Sequence, residues 1–357
     1  MKTDSVNSHN EWDLLEEVIV GRVENAHFPS WDFIVKNTIP TEALTYYEKI
    51  FSMKGQSIPD EIINKANRDL AIFINILETE GVKVRRPELA DFGKSFSTPE
   101  WSVECGVSSA NPRDVFLVIG NLIIECPMAD RGRYFETSPY RKILKELFHK
   151  GAKWIAAPKP VLSDDLYVTI NEGDGSYSIN DFEPTFDAAD FVRCGKDIIG
   201  QLSHVTNKSG VKWLENTLGS DYKIHLISSK CSTALHIDTT LMPLAEGKLL
   251  INPEFVDEHN LPEVFNEWEI IKAPKPESFS TVIGNYRIVS DWMSMNVLSI
   301  DEKRVIIEEK QKGMIKTLKE YGFEPIPCPF ESYYIFGGSF HCATLDIRRR
   351  QKEYPEK

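Results

Sequence analysis

"YRKILKELFHKGAKWIAAPKP" (Tyr140–Pro160) reads as an amphipathic helix, a glycine stop and a short apolar strand. Glycine fits the stop because it enters the left-handed region without a Cβ clash. The same order returns in "RDLAIFINILETEGVKVRRPE" (Arg68–Glu88) around Gly81 and in "VKWLENTLGSDYKIHLIS" (Val211–Ser228) around Gly219. It returns again in "QKGMIKTLKEYGFEPIPCP" (Gln311–Pro329) around Gly322, while "PEVFNEWEIIKAPKP" (Pro262–Pro276) is a shorter version without the glycine. The stops lie about 47 to 70 residues apart, which suits repeats of one supersecondary unit with loop insertions.

Apparent hairpins separate these units. "DVFLVIGNLIIECP" (Asp114–Pro127) turns at Gly120-Asn121, "TTLMPLAEGKLLINP" (Thr239–Pro253) at Glu246-Gly247, and "MNVLSIDEKRVIIEE" (Met295–Glu309) near Asp301–Lys303. Each module is therefore hairpin, helix, strand (ββαβ-type). Five such modules cannot bury their apolar faces singly and are expected to close around an axis. The predicted fold is α/β: one domain over residues 1–357, a five-fold pseudosymmetric α/β propeller with a central site. The alternative is a doubly wound α/β sheet, but the chain holds neither a G-x-G-x-x-G turn after a strand nor a P-loop.

Composition narrows the partners. The 357 residues are 41% hydrophobic, enough for a sizeable core, and carry a formal charge of −13. That balance argues against nucleic acid or an anionic membrane. No apolar run approaches the ~18 residues of a membrane span, and "MKTDSVNSHNEWDLLEE" has no targeting character. The six cysteines form no C-x-x-C pair, which disfavours zinc and thioredoxin-like chemistry. Reduced thiols and a cytoplasmic setting are the expectation.

Several short stretches could carry chemistry. In "GGSFHCATLDIRRR" (Gly337–Arg350), Cys342 could be buried filler, a metal ligand or a nucleophile. "TALHIDTTLMPL" (Thr233–Leu244), read as a strand, puts His236 and Asp238 on one face; a hydrogen-bonded core histidine beside an edge aspartate is the plainer reading. "EPTFDAADFVRCGKDIIGQ" (Glu183–Gln201) is expected to open a helix, with Asp187 as its N-cap and Asp190 in the first turn. Asp114, in "NPRDVFLVIGN" (Asn111–Asn121), stands at a strand entrance, where a surface turn is the default. "IRRRQK" is expected to be a solvated basic end or a partner for acidic surface. Together, a thiol, an imidazole and several carboxylates suit attack on a guanidinium carbon. The thiolate supplies the nucleophile, and carboxylates match the fork of N–H donors.

These blocks also carry a resemblance. The chain resembles the amidinotransferases related to arginine:glycine amidinotransferase, of the guanidine-modifying superfamily, nearly end to end. The shared blocks include "NEWDLLEEVIVGR" (Asn10–Arg22), "PRD" (Pro112–Asp114), "IIECPMA", "HKGAKWIAAPKP", "FDAADFVRCGKD", "HID", "SMNVLSIDEKRV" and "GGSFHCATLDIRRR". The resemblance implies the five-fold propeller, Cys342 as nucleophile, His236 as acid and base, and Asp187 as its orienter. It further implies Asp114 and Asp238 as the clasp on the donor guanidinium. The implied reaction is ping-pong: arginine leaves its amidino group on Cys342, ornithine departs, and an amine acceptor collects the group. The partners are thus small-molecule substrates, with no cofactor or metal, and the resemblance makes a homodimer an expectation.

Two positions depart from the arginine:glycine enzymes. In "INPEFVDEH" Phe255 occupies the place of an arginine that meets the amino-acid carboxylate, and Asp291 stands where those relatives have a lysine. Ser290 matches and is carried over as a substrate contact. Losing cations weakens the grip on a carboxylate, so the expected acceptor is a larger or more basic amine than glycine. A hydrolase of the same superfamily, in which water resolves the adduct, and a non-catalytic guanidino-compound binder are the competing readings.

Overall fold

The computed structural model describes residues 5–30, 32–38, 55–170, 176–231, 235–279, 282–283, 286–287 and 289–350. Among these, five three-stranded sheets share one topology: the first two strands are antiparallel and the third lies parallel to the second. One sheet holds Phe116–Ile119, Leu122–Glu125 and Lys153–Ala156. The next holds Phe191–Cys194, Asp197–Gln201 and Lys223–Ile227. Leu241–Ala245, Lys248–Ile251 and Glu269–Lys272 form another, and Leu298–Ser299, Arg304–Glu308 and Glu324–Cys328 a fourth. The fifth joins the two ends of the described chain: Thr344–Arg350 pairs with Leu14–Val20, which pairs with Lys83–Arg85.

Parallel neighbours need a crossover, and helices supply it. Asp60–Thr79, Arg141–His149, Lys208–Leu218 and Lys312–Glu320 each link a second strand to its third. The fourth crossover has only short 3₁₀ turns, Glu258–Asn260 and Glu263–Phe265, matching the repeat that lacks a glycine. Arg141–His149 buries Ile143, Leu144 and Leu147, the i, i+1, i+4 spacing of one helical face. Gly151 and Gly322 follow two of the helices at φ +101° and +85°, angles a side chain would strain. The largest apolar clusters straddle neighbouring sheets. One joins Val118, Ile198 and Leu345; another joins Ile199, Leu250 and Ile307; a third joins Val18, Ile306 and Phe73 of the longest helix. Among the described residues no helix is long and apolar enough to cross a membrane.

Two local expectations are corrected. Glu183–Gln201 does not open a helix. Asp187 precedes a single 3₁₀ turn, Ala188–Asp190, and the chain then forms the hairpin Phe191–Cys194 and Asp197–Gln201. Strands of four and five residues are too short for apolar period to distinguish them from helix. His236 and Asp238 are likewise not on a strand. His236 caps the 3₁₀ turn Ile237–Thr239, and the strand begins at Leu241; residues 232–234 lie outside the described residues. In the basic tail the second expectation, pairing with acidic residues, holds for the described arginines. Arg349 is 1% exposed and bonds Asp346 and the Asp13 carbonyl, while Arg348 and Arg350 pair with Glu16. Gln351 and Lys352 lie outside the described residues.

These corrections reveal a common device. A one-turn helix or turn precedes the first strand of each sheet: Pro112–Val115, Ala188–Asp190, Ile237–Thr239, Asp291–Met295 and the turn before Thr344. Each places one polar side chain one to three residues ahead of its strand. In order these are Asp114, Asp190, Asp238, Asn296 and Cys342, none more than 1% exposed.

Candidate active site

Four of those five side chains, all but Asp190, line one cavity of about 450 Å³, together with His236. Asp187 lies directly behind the imidazole, with His236 Nε2 3.0 Å from its Oδ2. His236 Nδ1 faces Asp114 Oδ1 at 3.7 Å. One ligand-type atom each of Asp114, His236 and Cys342 lies within 4.8 Å of the others. The five residues singled out from sequence as nucleophile, base, orienter and clasp are therefore neighbours.

Cys342 is held from two sides. Asn296 Nδ2 donates to Sγ at 3.0 Å, and its Oδ1 accepts from the Cys342 and His341 amides at 3.2 and 2.9 Å. The thiol itself donates to Asp238 Oδ2 at 3.1 Å. Burial, then the charges of Asp238 and Asp114, push the thiol well above its ordinary range. These surroundings favour the protonated thiol. His236 is the opposite case. Burial opposes its charge, but Asp114 and then Asp187 outweigh that and raise it to about 10. A protonated ring offers N–H groups rather than a lone pair.

Arg133 braces this floor. It donates to Asp114 Oδ2 at 2.9 Å and to Glu136 Oε2 at 2.8 Å, and reaches Asp187 Oδ2 at 3.5 Å. Burial raises Glu136 to about 7 against the pull of Arg133. Asp190 stands behind, bonded by Ser203, Thr206 and Gln201, and burial raises it to about 7. One carboxylate oxygen each of Asp114, Asp187 and Asp238 is buried without a hydrogen-bond partner among the described residues.

The mouth differs from this floor. Phe28, Ile34, Leu235, Phe255, Val289 and Phe336 give it apolar walls. Phe255 packs against Trp292, ring centroids 6.2 Å apart. Ser290 lines the cavity, and its Oγ accepts from the Trp292 amide at 3.2 Å as cap of the following turn. Asp291 is not among the lining residues. Arg133 is the only lysine or arginine among the described lining residues, and it is engaged.

Sequence reasoning missed Arg133, Asn296, Asp190's bonding and His341. Arg133 had a signal in the i, i+3 pair with Glu136, and Asn296 in its place before an apolar strand, where Asp114 and Asp238 also stand.

No protein-family model matches the chain. It is 50% identical over 357 residues to an L-arginine:L-lysine amidinotransferase of Pseudomonas savastanoi pv. phaseolicola, covering 99% of this chain and 96% of that one. It is 41% identical to the mitochondrial glycine amidinotransferase of Xenopus tropicalis, over 97% of this chain and 83% of that protein. Among solved structures, SxtG, an amidinotransferase from Microseira wollei in the saxitoxin biosynthetic pathway, superposes with a TM-score of 0.94. It shares 56% identity, with 98% of each chain covered. A buried thiol among carboxylates and a charged histidine, in a chain alike from end to end to these three enzymes, places the protein in the amidinotransferase family.

Proposed function

We propose that the protein transfers the amidino group of L-arginine, through a covalent adduct on Cys342, to a primary amine other than glycine. The observation that carries this reading is a pair of buried oxygens with no hydrogen-bond partner among the described residues, Asp114 Oδ1 and Asp238 Oδ1, on the two carboxylates beside the Cys342 thiol, the first of them facing only His236 Nδ1 at 3.7 Å. An unsatisfied buried polar atom costs about 1–3 kcal/mol, and a planar guanidinium between two carboxylates would satisfy both.

The steps follow from the charges. Arrival of the guanidinium offsets the two carboxylates that keep Cys342 protonated, and the thiol proton leaves for solvent. The thiolate attacks the guanidinium carbon. The bond from that carbon to the side-chain nitrogen breaks, and His236 gives its proton to the departing amine, releasing ornithine. An amidino-thioether remains on Cys342. The acceptor amine then loses a proton to the neutral His236 and takes the amidino carbon, restoring thiolate and imidazolium. Asp187 and Asp114 stabilise the ring whenever it is charged. The five sheets, with the last strand paired to the first, support a single-domain α/β propeller closed around this cavity.

The apolar mouth and the engaged Arg133 support an acceptor that does not depend on a side-chain cation for its carboxylate. A relative acting in saxitoxin biosynthesis supports a place in specialised metabolism. The test is arginine plus a panel of primary amines, with ornithine and amidinated product quantified. Without an amine, ornithine should stop at one equivalent per protein; with an amine it should form continuously, and larger amines should outperform glycine. Glycine as best acceptor contradicts the acceptor assignment, and urea or citrulline accumulating without any amine contradicts the transferase reading.

A further inference from the structure

His341 precedes Cys342 and takes no part in the steps above, yet it is 1% exposed and held at both ends by carboxylates. Its Nδ1 lies 3.0 Å from Asp238 Oδ2, and its Nε2 lies 3.3 Å from Glu11 Oε2. Glu11 is itself fixed: Arg193 Nε donates to Oε1 at 2.7 Å and Nη2 to Oε2 at 2.6 Å, and Arg113 stands 3.5 Å from Oε2. Arg193 and Arg113 are tied in turn to Asp346 at 2.7 and 2.8 Å. A buried, paired network therefore runs from near the N-terminus to the floor of the cavity.

Its end point matters most. Asp238 Oδ2 takes both His341 Nδ1 and the Cys342 thiol, while Oδ1 has no partner among the described residues. Burial raises the Asp238 carboxyl, but the hydrogen bond and charge of His341, followed by His236, leave it below its ordinary range. Without His341, Asp238 would lose the contact that sets its rotation and offsets its desolvation.

Resting on the assignment of Asp114 and Asp238 as the guanidinium clasp, we propose that His341 is a positioning residue for donor recognition. Clamped between Glu11 and Asp238, its ring fixes Oδ2 so that Oδ1 faces the guanidinium site.

The test uses the full chain with Cys342→Ala, which binds donor without reacting. Affinities are measured by calorimetry for arginine and for citrulline, its neutral ureido analogue. Adding His341→Gln should weaken arginine about tenfold or more, since a charge-assisted contact is lost, and leave citrulline unchanged. Glu11→Gln should give the same selective loss, smaller in size, and carries the test if His341→Gln does not fold. Parallel weakening of both ligands, or no change in either, overturns the proposal; a Glu11→Gln variant without selective loss overturns the part given to Glu11. Failure of arginine to bind the Cys342→Ala parent rejects the donor assignment itself, and the inference with it.

Discussion

The floor of the cavity and its mouth are built by different rules. On the floor, Asp114, Asp238, Asn296 and Cys342 occupy the same place in four of the five modules, one turn ahead of a strand. Repetition puts four polar groups on one centre, where Arg133 holds Asp114 and His341 holds Asp238. The mouth has no such repeat: Phe28 and Ile34 come from the N-terminal segment, while Phe255 and Ser290 come from separate loops. The difference separates roles. On the proposed mechanism the repeated positions handle the amidino group, and the unrepeated ones are left to select the amine.

Removing a charge from the floor gives the larger effect. Asp187→Asn should lower kcat about 10²- to 10⁴-fold, the range for losing the orienter of a catalytic histidine. It should also move the alkaline limb of the pH profile. His236 acts as an acid in its protonated form, which holds below its raised value of about 10. With an anion gone, that value falls, and activity should be lost at a pH lower by about one unit or more. An alkaline limb that stays in place would separate Asp187 from His236.

A change at the mouth should do less and should act on selection. Phe255→Arg supplies a cation beside Trp292 and Ser290. It should raise the use of glycine relative to a larger amine about tenfold, the worth of one charge-assisted contact, with ornithine release from arginine nearly unchanged. A fall in transfer to every acceptor alike would mean that the mouth and floor are not separable.

The sequence carried the floor better than the links beneath it. Cys342, His236, Asp187, Asp114 and Asp238 stood in recognisable blocks, and helix–glycine–strand order exposed the modules. Local geometry was misread where elements are shortest. "FDAADFVRC" looks like a capped helix because an N-cap aspartate and a 3₁₀ turn share the same residues, and only the following hairpin settles the matter. His341 and Glu11 are 330 residues apart, and no periodicity links such positions. Their meeting depends on the pairing of the last strand with the first.

The most direct test of the central claim is the intact mass of the purified protein after incubation with arginine alone, beside a Cys342→Ala control. The account predicts a gain of one amidino group in the wild type, with ornithine released, and no gain in the control. An adduct that persists in Cys342→Ala, or a wild type that releases ornithine in step with arginine and an amine but never gains mass, would contradict transfer through Cys342.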